Sequence, residues 1–239
     1  MKDAILVLGG AFNPVHTQHI DLLCSAKNQL EKTGEWNILG GYLAVATDGY
    51  VRNKLKSRNE RTIKLEHRLA LVREAMKDQS WLSNSPFQNE MLQRHDGSAL
   101  ALSERVKKLL KNSNIQTLIL IGGDRMMKKG IPIWRQSSNT HSVIRVGIGR
   151  LDEQNVNLFD LWKHDIENNL IHNPKEFILL DLPLRSVSSS LIRSYLTQWS
   201  NSPEKQLDIE HELTEIQSYL HSNVMNYIKQ HQHDLYINE

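Results

Sequence analysis

Residues 4–19 have the sequence AILVLGGAFNPVHTQH, which has the pattern of a buried strand followed by a loop and the start of a helix. Its first half is a continuous apolar run, Ala4 to Leu8, which is typical of a strand that is buried on both faces of a sheet. After the loop, apolar residues recur on one helical face from Ile20 to Leu30, and Gly34 is placed to end that helix. A strand, a short loop and a helix form the first half of a crossover unit between parallel strands.

Further strands and helices are predicted to alternate along the chain. Apolar runs predict strands at residues 38–46, 115–121, 143–148 and 177–180, and helical spacing predicts helices at 60–77 and 99–110. Between the second strand and the next helix, Thr47 to Arg61 is polar and basic, and we expect a mobile loop there. Strands that alternate with helices indicate an α/β fold with a parallel sheet.

The C-terminal part of the chain is predicted to be a helical tail. Residues 200–206 are polar and include Pro203, and apolar residues then recur at helical steps from Asp208 to about Gln232. We expect one domain over residues 1–239, with an α/β core at about 1–199 and the tail at about 207–239.

Composition argues against several classes of protein. Of the 239 residues, 39% are hydrophobic and 23% are charged, as in an ordinary soluble domain, and the single Cys24 allows no intrachain disulfide. The net charge of +2 is far from the basic excess of a dedicated nucleic-acid binder. No apolar run approaches the roughly 18 residues that a membrane span needs, and no signal peptide is evident. We therefore expect a cytoplasmic protein with no nucleic-acid or membrane partner.

The loop at residues 9–19 has the features of a phosphate site. In an open parallel sheet, ligands lie beyond the carboxyl ends of the strands, where glycines and a helix N-terminus present backbone amides. His16 and His19 are three residues apart, so both imidazoles should face one side of the helix start. The alternatives are surface histidines or a metal pair, but no carboxylate or cysteine joins the two at ligand spacing.

Two other segments follow predicted strands. Residues 187–193, VSSSLIR, enter a helix, where the serines either cap free amides or bind phosphate; Arg193, one turn in, favours phosphate. The other segment is Gly122-Gly123-Asp124, whose aspartate carboxylate can accept hydrogen bonds from ribose hydroxyls. Trp134 follows it and can stack on a flat heterocycle. The alternatives for this third segment are an aspartate N-cap and a core tryptophan.

Residues 10–19, GAFNPVHTQH, and residues 187–193 resemble the two signatures of the nucleotidylyltransferase superfamily, although Gln18 stands where most members have glycine. Phe-Asn-Pro and several other segments resemble the nicotinamide or nicotinate mononucleotide adenylyltransferase branch. Those other segments are IGGD at 121–124, IWR at 133–135, LWKH at 161–164, YIKQH at 227–231, and Leu235-Tyr236. The likeness spans nearly the whole chain and implies a Rossmann-like, doubly wound parallel sheet with a C-terminal helical tail.

The resemblance implies transfer of AMP from ATP to nicotinamide or nicotinate mononucleotide, which forms NAD or deamido-NAD and pyrophosphate by direct in-line attack. The implied catalytic residues are His16, His19 and Arg193. The implied ATP-binding residues are Gly10, Ala11, Phe12, His16, His19, Ser188, Ser189, Ser190 and Arg193. Mg²⁺ would bridge the ATP phosphates, with no metal held by protein side chains.

The resemblance also implies a set of contacts with the pyridine mononucleotide. These residues are Asn13, Tyr50, Arg52, Lys54, Phe87, Gly122, Asp124, Ile133 and Trp134. Trp134 and Phe87 would stack on the pyridine ring, although the branch often has a second tryptophan where this chain has Phe87. Another nucleotidylyltransferase, acting on pantetheine phosphate or making a CDP-alcohol, and a non-catalytic nucleotide sensor remain alternatives. The sequence leaves the oligomeric state open, and a homo-oligomer is compatible with it.

Overall fold

The computed structural model describes residues 1–56, 58, 60–83, 99–128, 130–136, 143–148, 157–182, 187, 189–201, 216 and 218–237. Its strands are β1 (Lys2–Gly10), β2 (Trp36–Val45), β3 (Leu82–Ser83), β4 (Gln116–Gly122), β5 (Met127–Lys128), β6 (Ile131–Pro132), β7 (Val143–Ile148) and β8 (Phe177–Leu180). Its helices are α1 (Thr17–Lys32), α2 (Asp48–Lys56), α3 (Leu65–Met76), α4 (Ala99–Leu109), α5 (Gly123–Met126), α6 (Leu158–Glu167), α7 (Ser189–Asn201) and α8 (Ser222–Gln230).

The main sheet has the strand order β3-β2-β1-β4-β7-β8, and β5 pairs with β6 in a separate hairpin. β1 pairs with β4, β4 with β7, and β7 with β8, all in parallel. Chain order runs outward from β1 in both directions, so the sheet is doubly wound and Rossmann-like, as predicted. The strands predicted at 143–148 and 177–180 have those bounds in the structure.

Burial explains why the apolar runs form this sheet. Residues 4–7 of β1 have no exposed surface, as expected for a strand that is covered on both faces. Helix α1 contributes Leu23, Ala26 and Leu30 to the core, and Gly34 follows the helix with a φ of +71°, which glycine adopts without strain. Each fully buried aliphatic side chain contributes about 1.5–3 kcal/mol to folding.

The chain divides into two compact units. The first comprises Met1–Gly9, Leu22–Tyr42 and Ala99–Leu184, and it contains most of the parallel sheet. The second comprises Gly10–Asp21, Leu43–Ser98 and Arg185–Glu239. The second unit therefore holds the loop after β1, the segments after β2, and the C-terminal part of the chain.

The prediction of a mobile loop at Thr47 to Arg61 is wrong, because Asp48–Lys56 forms helix α2. Val51 and Leu55 lie one helical turn apart and are buried, which stabilises the helix through one apolar stripe. Asp48 lies in the first turn and Lys54 in the last, where their charges suit the helix dipole. The polar composition of the segment hid this two-residue stripe.

Helix α8 confirms a helical C-terminal tail over Ser222–Gln230, whereas most of the predicted segment before Leu220 lies outside the described residues. α8 packs against α3, and the chain then returns to the segment before α3. The Lys64 amide donates to the Leu235 carbonyl over 2.9 Å, and Ile63 forms a β-bridge with Tyr236. The helix was predicted to begin near residue 60, but α3 begins at Leu65, because the residues just before it form this bridge.

Among the described residues, no helix is both long enough and apolar enough to cross a lipid bilayer.

Candidate active site

The loop after β1 is packed tightly around Phe12. Phe12 is buried and has a φ of +44°, and its ring lies so close to Gly10 that a Cβ there would be 3.0 Å from the ring carbons. The Ala46 amide donates to the Gly10 carbonyl over 2.9 Å. A larger residue at position 10 would require the Phe12 ring to shift by a few tenths of an ångström, so glycine suits this close packing.

Arg68 supports the same loop from the interior of the second unit. Its fully buried guanidinium donates to the carbonyl oxygens of Ala11 (2.9 Å), Ala46 (2.6 Å) and Ile63 (3.0 Å). It also donates to the Asp48 carboxylate over 2.7 Å. One side chain thus ties the loop after β1 to the loop after β2 and to the residues before α3.

Asn13 reinforces that link through its side-chain amide. Its Nδ2 donates to the Arg61 carbonyl over 3.1 Å, and its Oδ1 accepts from the Ile63 amide over 2.8 Å. The side chain is almost fully buried and acts as a brace between two segments in this structure. Its contact with a pyridine mononucleotide stays a prediction.

His16 and His19 face the same side of the start of α1, as their spacing predicted. Their ring centroids are 3.7 Å apart, and the ring planes are tilted by 36°. The rings of His19 and Phe12 pack edge to face, with their centroids 5.0 Å apart. The His16 backbone amide donates to His19 Nδ1 over 3.2 Å. The alternative of two surface histidines does not fit His16, which is only 5% exposed.

Both imidazoles are neutral near pH 7. Burial, together with the positive charge of Arg193, lowers the pKa of His16 from 6.5 to about 4. Burial and the neighbouring His16 lower the pKa of His19 well below its ordinary value. Because Nδ1 of His19 accepts a hydrogen bond, its proton is assigned to Nε2, which makes this ring a neutral N–H donor.

The second predicted motif meets the first through Arg193. This side chain, 7% exposed, lies on α7 and donates to the Asn13 carbonyl over 3.1 Å and to Ser190 Oγ over 2.8 Å. Its Nε also donates to Glu60 Oε2 over 2.7 Å, and its Nη2 lies 2.5 Å from the same oxygen in an ion pair. Ser190 Oγ receives a further hydrogen bond from Arg58 over 3.3 Å.

Sequence reasoning missed Glu60, the carboxylate that pairs with Arg193. The two residues are 133 positions apart, and no local pattern signals their contact. Ser189 begins α7 beside Ser190, whereas Ser188 and Phe87 lie outside the described residues, as does the side chain of Asp124.

Tyr50, Arg52 and Lys54 lie on α2, not on a loop, and Tyr50 is half exposed. Tyr50 and Lys54 are one helical turn apart and share a face, whereas Arg52 is two residues from each and points elsewhere. The two basic residues therefore do not act as one cluster in this structure.

Trp134 belongs to the first unit and is completely buried. It packs with Met126, Leu158 and Phe177, and its Nε1 donates to Asp165 Oδ2 over 2.7 Å. No face of the ring is exposed in this conformation, which is the arrangement expected of a core tryptophan. Stacking on a pyridine ring stays a prediction, and it requires one face to be uncovered.

Asp165 anchors this cluster. Arg135 donates to it through Nε and Nη2, each over 2.6 Å, and these bonds with that of Trp134 lower the pKa of Asp165 to about 2. Ile133 begins the short 3-10 turn that carries Trp134. Gly122 is the N-cap of α5, so the alternative that Asp124 caps this helix is wrong.

A protein-family model described as cytidylyltransferase-like matches residues 7–195. The chain belongs to the cytidylyltransferase-like family. The match covers both phosphate motifs and confirms, at the level of the family, the resemblance to nucleotidylyltransferases that the sequence suggested.

Relatives within this family carry related names. A nicotinamide/nicotinic acid mononucleotide adenylyltransferase 2 of Xenopus tropicalis is 25% identical over 159 residues, 62% of this chain and 48% of the relative. A probable nicotinate-nucleotide adenylyltransferase of Enterococcus faecalis is 28% identical over 190 residues, 78% of this chain and 71% of the relative. The chain thus spans about half the length of the Xenopus protein, with an aligned share of 48%.

Solved structures show the same fold. The Plasmodium falciparum nicotinic acid mononucleotide adenylyltransferase, solved in complex with APC, matches with a TM-score of 0.57 and 17% identity. That comparison covers 98% of this chain and 97% of the other. The same enzyme in complex with NaAD matches with the same TM-score of 0.57.

Proposed function

We propose that the protein transfers AMP from ATP to nicotinamide mononucleotide or nicotinate mononucleotide and releases pyrophosphate. The observation that carries the proposal is the convergence of His16, His19 and Arg193 at the starts of α1 and α7. Hydrogen-bond donors at two helix starts suit a triphosphate. The names of the relatives supply the acceptor class.

The reaction in this proposal is a direct displacement at the α-phosphorus of ATP. A phosphate oxygen of the mononucleotide forms a bond to that phosphorus while the bond to the pyrophosphate oxygen breaks, and no covalent enzyme intermediate forms. His19, through its Nε2–H, and His16 would donate to the oxygens on which charge accumulates. Neutral donors suit this role, because they need not release a proton to either product.

Arg193, Ser189 and Ser190 are assigned to the β- and γ-phosphates of ATP. Arg193 currently directs two of its nitrogens at Glu60, so an incoming phosphate would compete with that carboxylate for the guanidinium. The loop of Gly10, Ala11 and Phe12 would present backbone amides to the nucleotide.

Magnesium would enter with ATP in this proposal. The described side chains that converge here are imidazoles, a hydroxyl and a guanidinium, which suit phosphate oxygens, and one carboxylate, Glu60, which is paired with Arg193. The proposal therefore leaves the metal to the phosphates themselves. Mg²⁺ would neutralise part of the triphosphate charge. No step is assigned to a metal held by the protein at this site.

The mononucleotide is assigned to Asn13, Tyr50, Arg52, Lys54, Phe87, Gly122, Asp124, Ile133 and Trp134. Stacking by Trp134 is tested with Trp134→Phe, which retains an aromatic ring in the core. If Trp134 stacks, the KM for the mononucleotide rises while the KM for ATP is unchanged. Unchanged values for both substrates remove Trp134 from the binding site.

The activity is tested by measuring pyrophosphate release from ATP and Mg²⁺ with each mononucleotide in parallel, and by identifying the product by mass. The matched variants are His19→Ala and His172→Ala, which removes an exposed histidine. Loss of one preorganised donor should lower kcat about 10²- to 10³-fold in the first and leave the second unchanged. No dinucleotide from either acceptor would refute the proposal and favour another acceptor or a nucleotide sensor.

A further inference from the structure

Three possible metal ligands meet where the C-terminal turn lies against α3. His67 lies on α3, His231 follows the last residue of α8, and Asp234 lies three residues further on. One ligand atom from each residue lies within 4.8 Å of the other two. His67 Nε2 is 3.5 Å from Asp234 Oδ2, and His231 Nδ1 is 3.6 Å from Asp234 Oδ1.

His67 has an unpaired ring nitrogen directed into this cluster. The residue is 95% buried, being only 5% exposed, and its Nε2 has no hydrogen-bond partner among the described residues. A buried polar atom without a partner is costly, and in native proteins it often indicates a ligand or function. The carboxylate of Asp234 lies 3.5 Å from this nitrogen, beyond a good hydrogen-bonding distance.

The other nitrogen of the His67 ring is held by Tyr227. His67 Nδ1 lies 3.0 Å from the Tyr227 hydroxyl oxygen, and the Tyr227 ring stacks on His231 with centroids 4.3 Å apart. If Nδ1–H donates to that oxygen, the lone pair of Nε2 is directed at His231 and Asp234. Histidines that ligate metals commonly have such an outer partner on their second nitrogen.

We propose that His67, His231 and Asp234 bind a zinc-class divalent cation. Zn²⁺ accepts imidazole nitrogen at about 2.0–2.1 Å and carboxylate oxygen at about 2.0–2.2 Å, and tetrahedral geometry then separates ligand atoms by about 3.3–3.5 Å. His67 Nε2 lies 3.5 Å from Asp234 Oδ2 and His231 Nδ1 lies 3.6 Å from Asp234 Oδ1, so each imidazole is close to that value from one of the two carboxylate oxygens. Two imidazoles favour zinc over Mg²⁺ or Ca²⁺, which prefer all-oxygen sites. Three protein ligands leave a fourth position for water.

The cation would fasten the end of the chain to the helix that supports the candidate active site. Residues on either side of the cluster already join these segments, because Ile237 donates to the Thr62 carbonyl over 2.9 Å. Arg68, which holds the Ala11 carbonyl, is the next residue after His67. Zinc binding should therefore stabilise the fold around the phosphate loop, separately from the magnesium that accompanies ATP.

The test uses the full chain, treated with chelator and then titrated with ZnCl₂ against a chromogenic zinc chelator. The parent should bind one more equivalent of zinc than Asp234→Ala, a variant at a position whose side chain is 58% exposed and whose loss should not prevent folding. His233→Ala, which removes the exposed neighbouring histidine, should bind as the parent does. Equal stoichiometry in the parent and Asp234→Ala would overturn the proposal, because any zinc held by His16 and His19 would survive in both.

Two further measurements address the geometry of the site. Tyr227→Phe removes the outer partner of His67 and should weaken zinc binding about 10- to 100-fold. One equivalent of Zn²⁺ should also raise the Tm of the parent and of His233→Ala but not that of Asp234→Ala. A Tm that rises equally in all three would mean that zinc acts elsewhere, which would overturn the proposal independently of catalytic activity.

Discussion

Acid should destabilise the protein in part through His16, whose contribution can be worked out from its pKa. Burial and the charge of Arg193 lower its pKa from 6.5 in an exposed reference to about 4 in the folded chain. As the pH falls below 6.5, the unfolded chain takes up this proton before the folded chain does, so the equilibrium shifts towards unfolding. The loss continues until the pH reaches the folded pKa.

The magnitude follows from the two pKa values. A fall from 6.5 to about 4 corresponds to about 3 kcal/mol over the whole window. Between pH 7.5 and pH 5 the same linkage removes about 2 kcal/mol. Because His16 is only 5% exposed, solvent screening reduces this figure little.

Urea unfolding of the parent and of His16→Asn at pH 7.5 and pH 5 measures this contribution, together with the smaller change that loss of His16 causes in the pKa of the neighbouring His19. The free energy of unfolding of the parent, minus that of the variant, should be about 2 kcal/mol smaller at pH 5. His172→Asn, which alters an exposed histidine, should follow the parent at both pH values. A parent-minus-variant difference that does not change with pH would refute the conclusion that His16 is buried in its neutral form.

Three further substitutions test other contacts. Arg193→Ala should raise the Kd for ATP, measured by calorimetry, at least tenfold. Glu60→Gln removes a competing carboxylate and should lower the same Kd. An unchanged Kd in Arg193→Ala would contradict the assignment of Arg193 to the ATP phosphates. Asp165→Asn should cost about 2 kcal/mol at pH 7, and the loss should shrink as the pH falls from 4 towards 2, because the pKa of Asp165 is lowered to about 2. Arg68→Lys should cost about 3 kcal/mol in urea unfolding, since one ammonium cannot replace a forked guanidinium, and a loss below 1 kcal/mol would argue against that network.

The parts of the fold that depend on contiguous sequence could be predicted. A buried parallel strand is a continuous apolar run, so β7 and β8 were identified to the residue. Helix α2 was missed because its stripe has only two apolar residues, Val51 and Leu55, among polar neighbours. Burial of these two side chains in the folded protein stabilises a helix that the polar composition of the segment does not predict.

The candidate site shows the same limit. The facing of His16 and His19 follows from helical spacing and was predicted. The pairing of Arg193 with Glu60 joins residues 133 positions apart and leaves no local signal. Trp134 is a different case, because the sequence around a tryptophan does not show whether the ring lies in a core or in a ligand site. Only the residues packed against the ring in the structure distinguish the two.

Arg68 makes the architecture of the phosphate loop tolerant of sequence change. Three of its four hydrogen-bond acceptors are main-chain oxygens, those of Ala11, Ala46 and Ile63. A main-chain oxygen is present whichever side chain a residue carries, so mutations at these three positions do not delete the acceptors. Substitutions at Ala11, Ala46 and Ile63 that leave the main chain in place therefore keep these three anchors as long as Arg68 is retained, whereas Gly10 and Asn13 act through their own size and side-chain amide and are less free to vary.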